Sequence, residues 1–187
     1  MIHFLRKRLA LSLVFLGLTC ILTSPQAFGL ITPNYFSDNV RKLNLNVADK
    51  KWDFFDAEDT SSKTSQTDLE LQFVARAPKV NENKTQPTLT WRVDKGEWDS
   101  AKKYSSKWLK EFPKFGYELQ TSGDAKYGAL NGFDMELLST ISDRRIRQFV
   151  VARAKEMWVF TCSADTKHFN EAWDACRKIL NTSKFQK

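Results

Sequence analysis

The chain has 187 residues, with 29 Lys and Arg against 22 Asp and Glu, two His and three Cys. Residues 1–29 hold three of the basic side chains and no acid, so the rest of the chain carries a balance of only +4. That mild charge argues against a nucleic-acid binder. A single histidine beyond residue 29 leaves little material for a hydrolase triad or a zinc centre.

The chain opens with Arg6, Lys7 and Arg8, runs apolar from Leu9 to Leu22, and then reaches Ala27-Phe28-Gly29. A basic head, a short apolar stretch and a small-x-small ending describe a secretory leader. The 14 apolar residues fall short of the roughly 18–20 needed to span a bilayer. The expectation is cleavage after Gly29, giving a periplasmic or secreted domain of residues 30–187, with an uncleaved anchor as the rival. Cys20 is a poor lipidation signal, because Thr19 is large for the position before a lipidated cysteine.

Residues 30–42 read as an extended lead-in. Leu43, Leu45 and Val47 alternate as on a strand, and residues 51–55 (KWDFF) follow as its hairpin partner. Polar residues 57–67 read as a loop. Residues 68–77 and 88–93 alternate again, with a polar loop between them bracketed by Pro78 and Pro87. The spacing of Ala101, Tyr104, Trp108 and Phe112 predicts a first helix, capped by Ser100 and ended by Pro113 and Gly116. Its outward Lys102, Lys103, Lys107 and Lys110 read as a solvated face. Residues 117–121 suit a short strand and 122–132 a turn-rich connection. Three strands joined by short turns follow, around Phe133–Leu137, Ile146–Val151 and Met157–Ala164. The last helix carries an apolar stripe of Phe169, Ala172, Trp173, Cys176, Ile179 and Leu180, and Asp165 or Thr166 can cap it. Strand meanders with two separated amphipathic helices imply an α+β domain, an antiparallel β-sheet flanked by helices.

The succession LNGFDMELLST, strand, MWVFTCSA and closing helix, with Ser183 and Phe185 near the end, resembles the PsbP/DcrB-like family. The lead-in NLNVADKKWDFF is similar to that family's opening hairpin, and the resemblance covers roughly residues 40–187. It departs from the family's Ser-Phe ending by interposing Lys184. The resemblance implies a PsbP-like α/β/α sandwich in a family whose members are mostly not enzymes, among them exported envelope proteins and photosystem accessory subunits. It supplies no catalytic motif.

The residues themselves offer little chemistry. His168 and Cys162 could pair only if brought together, and Cys162 ends a strand rich in core residues. No metal-ligand spacing and no Gly-rich phosphate loop occurs, so no cofactor is expected. Arg145, Arg147 and Arg153 share one side of a strand; if Ile146 faces the core, they form an exposed basic strip for an acidic partner or lipid headgroups. A solvated sheet face is the plainer reading. Trp91, Trp108, Trp158 and Trp173 fall at core positions, while Trp52 and Trp98, beside turns, suit an exposed contact.

Cys162 and Cys176 suit a disulfide in an exported chain, with two separate buried thiols as the alternative. Folded back on its preceding strand, the helix would bring the two cysteines level. The expected function is that of an exported, non-enzymatic envelope accessory or assembly protein that binds an envelope or periplasmic protein, with peripheral membrane contact as a further option. A carrier holding a small apolar ligand between sheet and helix is the alternative.

Overall fold

A computed structural model describes residues 29–47, 51–56, 69–76 and 86–186. The leader up to Phe28, with Cys20, lies outside the described residues, as do most of the two polar loops.

The strands are β1 (Leu30–Thr32), β2 (Tyr35–Asp38), β3 (Leu43–Asn46), β4 (Asp53–Asp56), β5 (Leu69–Arg76) and β6 (Thr88–Lys95). Then come helix α1 (Ala101–Glu111), a 3-10 turn over Phe112–Phe115, and strands β7 (Tyr117–Tyr127), β8 (Leu130–Ser139), β9 (Arg145–Arg153) and β10 (Glu156–Ala164). Helix α2 (Phe169–Asn181) and the two-residue strand β11 (Lys184–Phe185) close the chain. Among the described residues these strands make two antiparallel sheets. One is four-stranded, in the order β1-β2-β3-β11, and the other seven-stranded, in the order β4-β5-β6-β10-β9-β8-β7.

Alternation along the central strands sends side chains to two separate cores. On one face Leu89, Trp91 and Val93 of β6, Phe149 and Val151 of β9, and Trp158, Phe160 and Cys162 of β10 pack beneath α2 and the four-stranded sheet. The stack is mostly aromatic: Trp91 lies parallel to Phe160 at 5.5 Å and edge-on to Trp158 at 5.1 Å. Burying each such ring contributes about 2 kcal/mol. On the other face Met135, Val150, Met157 and Val159 pack beneath Ala101 and Tyr104 of α1. The alternation that defines these strands therefore fills both faces, and helices are needed on each.

α1 begins as its sequence predicts, with the Ser100 hydroxyl accepting a hydrogen bond from the Lys103 amide at 3.1 Å. Before α2 the Asp165 carboxylate accepts the His168 amide at 2.9 Å, and the helix itself starts at Phe169. Strands β8, β9 and β10 form the expected meander.

Three expectations change. The lead-in at 30–42 is itself a hairpin of β1 and β2. β3 does not pair with β4; it pairs with β2 and β11, while β4 joins the edge of the larger sheet next to β5. The stretch read as a connection at 122–132 is instead most of β7, a two-residue turn and the start of β8. The turn works because Gly128 takes φ +57°, a left-handed conformation that suits glycine. Gly132 lies so close to β9 that a Cβ there would stand 2.0 Å from the Val150 carbonyl oxygen. Both glycines serve a long hairpin.

Candidate functional site

The arginines of β9 do not form an open basic strip. Ile146 is buried, but the opposite side of β9 is the side that carries Phe149 and Val151 into the core under α2. Arg145 and Arg147 therefore lie at the margin of that core, where β8 and α2 meet them. Register places Glu136 opposite Arg147 and Leu138 opposite Arg145, so Glu136 lies within reach of both arginines. Arg147 Nε donates to Asp134 at 2.9 Å and its Nη1 reaches Glu136 at 3.3 Å. Arg145 donates to the other oxygen of Glu136. From the α2 side, Trp173 covers the Arg147 guanidinium at 4.4 Å and Phe169 covers that of Arg145 at 5.0 Å.

This is an internal lattice. Asp134 and Glu136 are 4% and 6% exposed, and the arginines satisfy them. The Tyr127 hydroxyl donates to Asp134 at 2.5 Å. Burial, and then that bond to a carboxylate, pushes the Tyr127 hydroxyl above the usual tyrosine range. Burial also raises the Asp134 carboxyl, with Tyr127 and Arg147 restoring only part of the shift. Asp134 and Glu136, two apart on one strand, and Arg145 and Arg147, two apart on the next, were the sequence signal for this lattice. It becomes readable once the two strands are known to be neighbours.

Arg153 is exposed and caps a different margin. Its guanidinium lies 3.8 Å from the Phe185 ring centre and 5.5 Å from that of Trp158. Nearby, Arg41 joins the β2–β3 turn to the start of β10, bonding Asp38 at 3.1 Å and Glu156 at 2.9 Å.

Trp52, expected at the surface, is only 4% exposed. Trp52 lies just before β4, where the chain enters the larger sheet from the smaller one, and it packs in the core with Phe36 and Phe54. Trp98 is half-buried: its ring meets Tyr104 edge-on at 5.1 Å, and the Lys107 ammonium stands 5.0 Å above it. Beneath it lies a cluster that sequence reading missed, in which Arg92 and Asp94 of β6 engage the Tyr104 hydroxyl. Burial and the bond to Asp94 push that hydroxyl above its usual range. The cluster holds α1 against the sheet.

The two cysteines form a disulfide between β10 and α2, with Cα atoms 6.2 Å apart. A disulfide sulfur is not a thiolate, so the Cys162–His168 nucleophile pair does not exist in this state. His168 Nδ1 instead meets Asp165 Oδ1 at 2.6 Å. Among the described residues no cluster of His, Cys, Asp and Glu could hold a metal ion. The space assigned to a carried ligand, between sheet and α2, is occupied by Trp91, Phe160, the disulfide, Ile179 and Leu180, each at or below 1% exposure. A shallow groove of about 560 Å³ lies on the other side, between the start of α1 and the β7–β8 hairpin, lined by Lys102, Asp124, Lys126, Asn131 and Phe133 among others.

No family model and no curated protein matches the chain. Solved structures do. The solution structure of cyanobacterial PsbP (CyanoP) from Synechocystis sp. PCC 6803 aligns with a TM-score of 0.57 at 10% identity, covering 83% of this chain and 94% of that one. The crystal structure of LpqN, involved in cell envelope biogenesis of Mycobacterium tuberculosis, aligns with a TM-score of 0.53 at 16% identity, covering 78% of this chain and 83% of that one. At such identities the likeness is one of fold: two antiparallel sheets with two helices, arranged as in PsbP. No described helix is long and apolar enough to cross a membrane.

Proposed function

We propose that this PsbP-like domain is an exported accessory or assembly protein of the cell envelope, which acts by binding another protein and has no catalytic role of its own. The observation that carries the reading is the disulfide between β10 and α2. Both cysteines have 0% exposure, so the bridge belongs to the core, and bridges of that kind form and persist in oxidising, extracytoplasmic compartments. The basic-then-apolar residues 6–22 fit the same compartment.

The binding role draws support from the fold. LpqN, with the same architecture, is involved in envelope biogenesis, and shared architecture alone does not transmit a function. The polar side chains with most chemical potential are engaged with one another: arginine with carboxylate, cysteine with cysteine, histidine with aspartate. That disposition suits a rigid body presenting a surface.

Chemical cross-linking in intact cells, followed by affinity capture from the envelope fraction, tests the reading. The expected result is one protein recovered in stoichiometric amount, with this chain in the extracytoplasmic fraction. Recovery of the chain from the cytosol with reduced cysteines, or repeated capture with no partner, would overturn it.

A further inference from the structure

The exposed arc of α1 carries Lys102, Lys103, Ser106, Lys107 and Lys110, and the one acid of the helix, Glu111 at its C-terminal end, is half-buried. Lys102 and Lys110 have no ion pair among the described residues. Lys103 meets Asp99, and Lys114, just past the helix, meets Glu111 at 2.7 Å; both are exposed pairs of small worth. The outward side of α2 is different. There Glu171 and Asp174 balance Arg177 and Lys178, and Asp174 bonds Arg177 at 2.5 Å. The chain beyond residue 29 is only mildly basic, so the concentration on α1 is local.

At the C-terminal end of α1 the surface turns apolar. Phe115 is 58% exposed and Ile141, in the β8–β9 loop, 79%. Leu119, 46% exposed, lies on the α1 side of the edge strand β7, opposite Leu137. Ile141 stands beside Gly116, within 3.0 Å of where a Cβ would be, and β7 starts at Tyr117 opposite Ser139, so Phe115, Leu119 and Ile141 occupy one end, the tip, of the β7–β8 pair.

We propose that the outer face of α1 and the Phe115–Leu119–Ile141 tip form a docking surface for an anionic lipid bilayer. The helix lies along the headgroups, and the apolar tip enters the interface. The proposal goes beyond the protein-binding role and does not depend on it. Three features favour a bilayer over an acidic protein. The charges are lysines, which protein interfaces disfavour and which reach headgroups by extending flexible stems. The apolar side chains of the tip are each at least 46% exposed and present apolar surface outward. A lysine-bearing helix face with adjoining Phe, Leu and Ile is the pattern of interfacial binding, in which acyl-chain contact and phosphate attraction add.

The test measures partition of the full chain onto phosphatidylcholine vesicles with and without added phosphatidylglycerol. The leader, with its apolar run and Arg6, Lys7 and Arg8, is common to wild type and variants, so the change in the ratio of the two affinities on replacement reports the α1 lysines. Each lysine near an anionic surface is worth about fivefold, so Lys102→Gln with Lys110→Gln lowers the ratio by about 25-fold. Both positions are exposed, and an unchanged melting temperature confirms the fold. Amine labelling read by mass spectrometry gives the orientation. Lys102, Lys107 and Lys110 lose reactivity on phosphatidylglycerol vesicles and regain it in high salt, while Lys178 on α2 is unaffected. Ile141→Asp weakens protection of the same lysines. A ratio unchanged by the lysine replacements, protection centred on Lys178, or α1 lysines shielded by an acidic protein from the extract but never by vesicles, would each overturn the proposal.

Discussion

The smallest determinants are single positions where backbone and side chain have no freedom to exchange. At Gly128, φ +57° is combined with contact: an added Cβ would stand 2.5 Å from Ser183 Oγ and 2.7 Å from the Asn181 carbonyl oxygen. The same turn receives Ser183, whose hydroxyl donates to the Tyr127 carbonyl at 3.0 Å and accepts from the Ala129 amide at 2.9 Å. Gly128→Ala therefore incurs both backbone strain and displacement of the end of α2, an expected loss of about 2 kcal/mol by denaturant titration. Arg147→Ala is the second case. It leaves Asp134 buried with only Tyr127 and strips one partner from Glu136, which keeps Arg145. A fully buried ion loses ~3–5 kcal/mol on this kind of change. Arg147 is a quarter exposed, so a loss of about 2 kcal/mol is expected, with the Asp134 carboxyl rising further. Trp52 belongs at this scale too. A turn-side tryptophan reads as exposed, and only the crossing between sheets buries it.

Among elements, local periodicity and long-range pairing divide what the sequence discloses. α1, α2 and the β8–β9–β10 meander are legible because each repeats its apolar residues at its own period and has short connections. β7 is legible only over 117–121. As an edge strand it buries little on either face, so Ser122, Gly123 and Asp124 look like a loop. The separation of β3 from β4 is equally hidden, since β3 takes as neighbour a strand about 140 residues later. Two predictions concern how elements are held. The disulfide closes a separation of 14 residues between β10 and α2, so replacing both cysteines by serine should lower stability by about 3 kcal/mol, measured against the oxidised protein. Non-reducing peptide mapping should recover the two cysteines as one linked pair. The Arg41–Glu156 contact ties the β2–β3 turn to β10. Burial alone would raise the Glu156 carboxyl, but hydrogen bonds from Arg41 and Trp158 outweigh it and hold the group below its ordinary value of 4.5. A depressed carboxyl stabilises the fold above its unfolded value, and the contribution is lost as pH falls through the native one. Glu156→Gln should therefore melt below the wild type at neutral pH, and the gap should close progressively below about pH 4.5.

For the whole molecule, the sequence and the structure agree on the architecture. An antiparallel sheet with a helix on each face is expected from the alternation, and that sandwich is what forms. The second, four-stranded sheet is the addition. It covers the aromatic core beside α2 with Phe36, Leu43 and Leu45. The candidate surface changed most. The arginines singled out by their spacing are engaged with carboxylates and aromatic rings, while the lysines dismissed as a solvated face are the unbalanced charge. Spacing on one strand cannot reveal which strand lies beside it, and for the arginines that neighbour, β8 with its carboxylates, decided the outcome.

Pairing of β11 with β3 makes the order of synthesis matter. The four-stranded sheet is built from segments far apart in the sequence, with β1–β3 inside residues 30–46 and β11 at Lys184–Phe185. Gln186 adds bonds to Asn44 at 2.8 Å and Ser37 at 2.9 Å. A chain made or threaded from its N-terminus therefore holds the edge of β3 open until β11 emerges. Deleting residues 184–187 should cost about 1–2 kcal/mol through the lost Phe185 contact with Trp158, and should leave residues 30–47 the first segment cut by protease. The four-stranded sheet is thus complete only when β11 arrives to fasten β3.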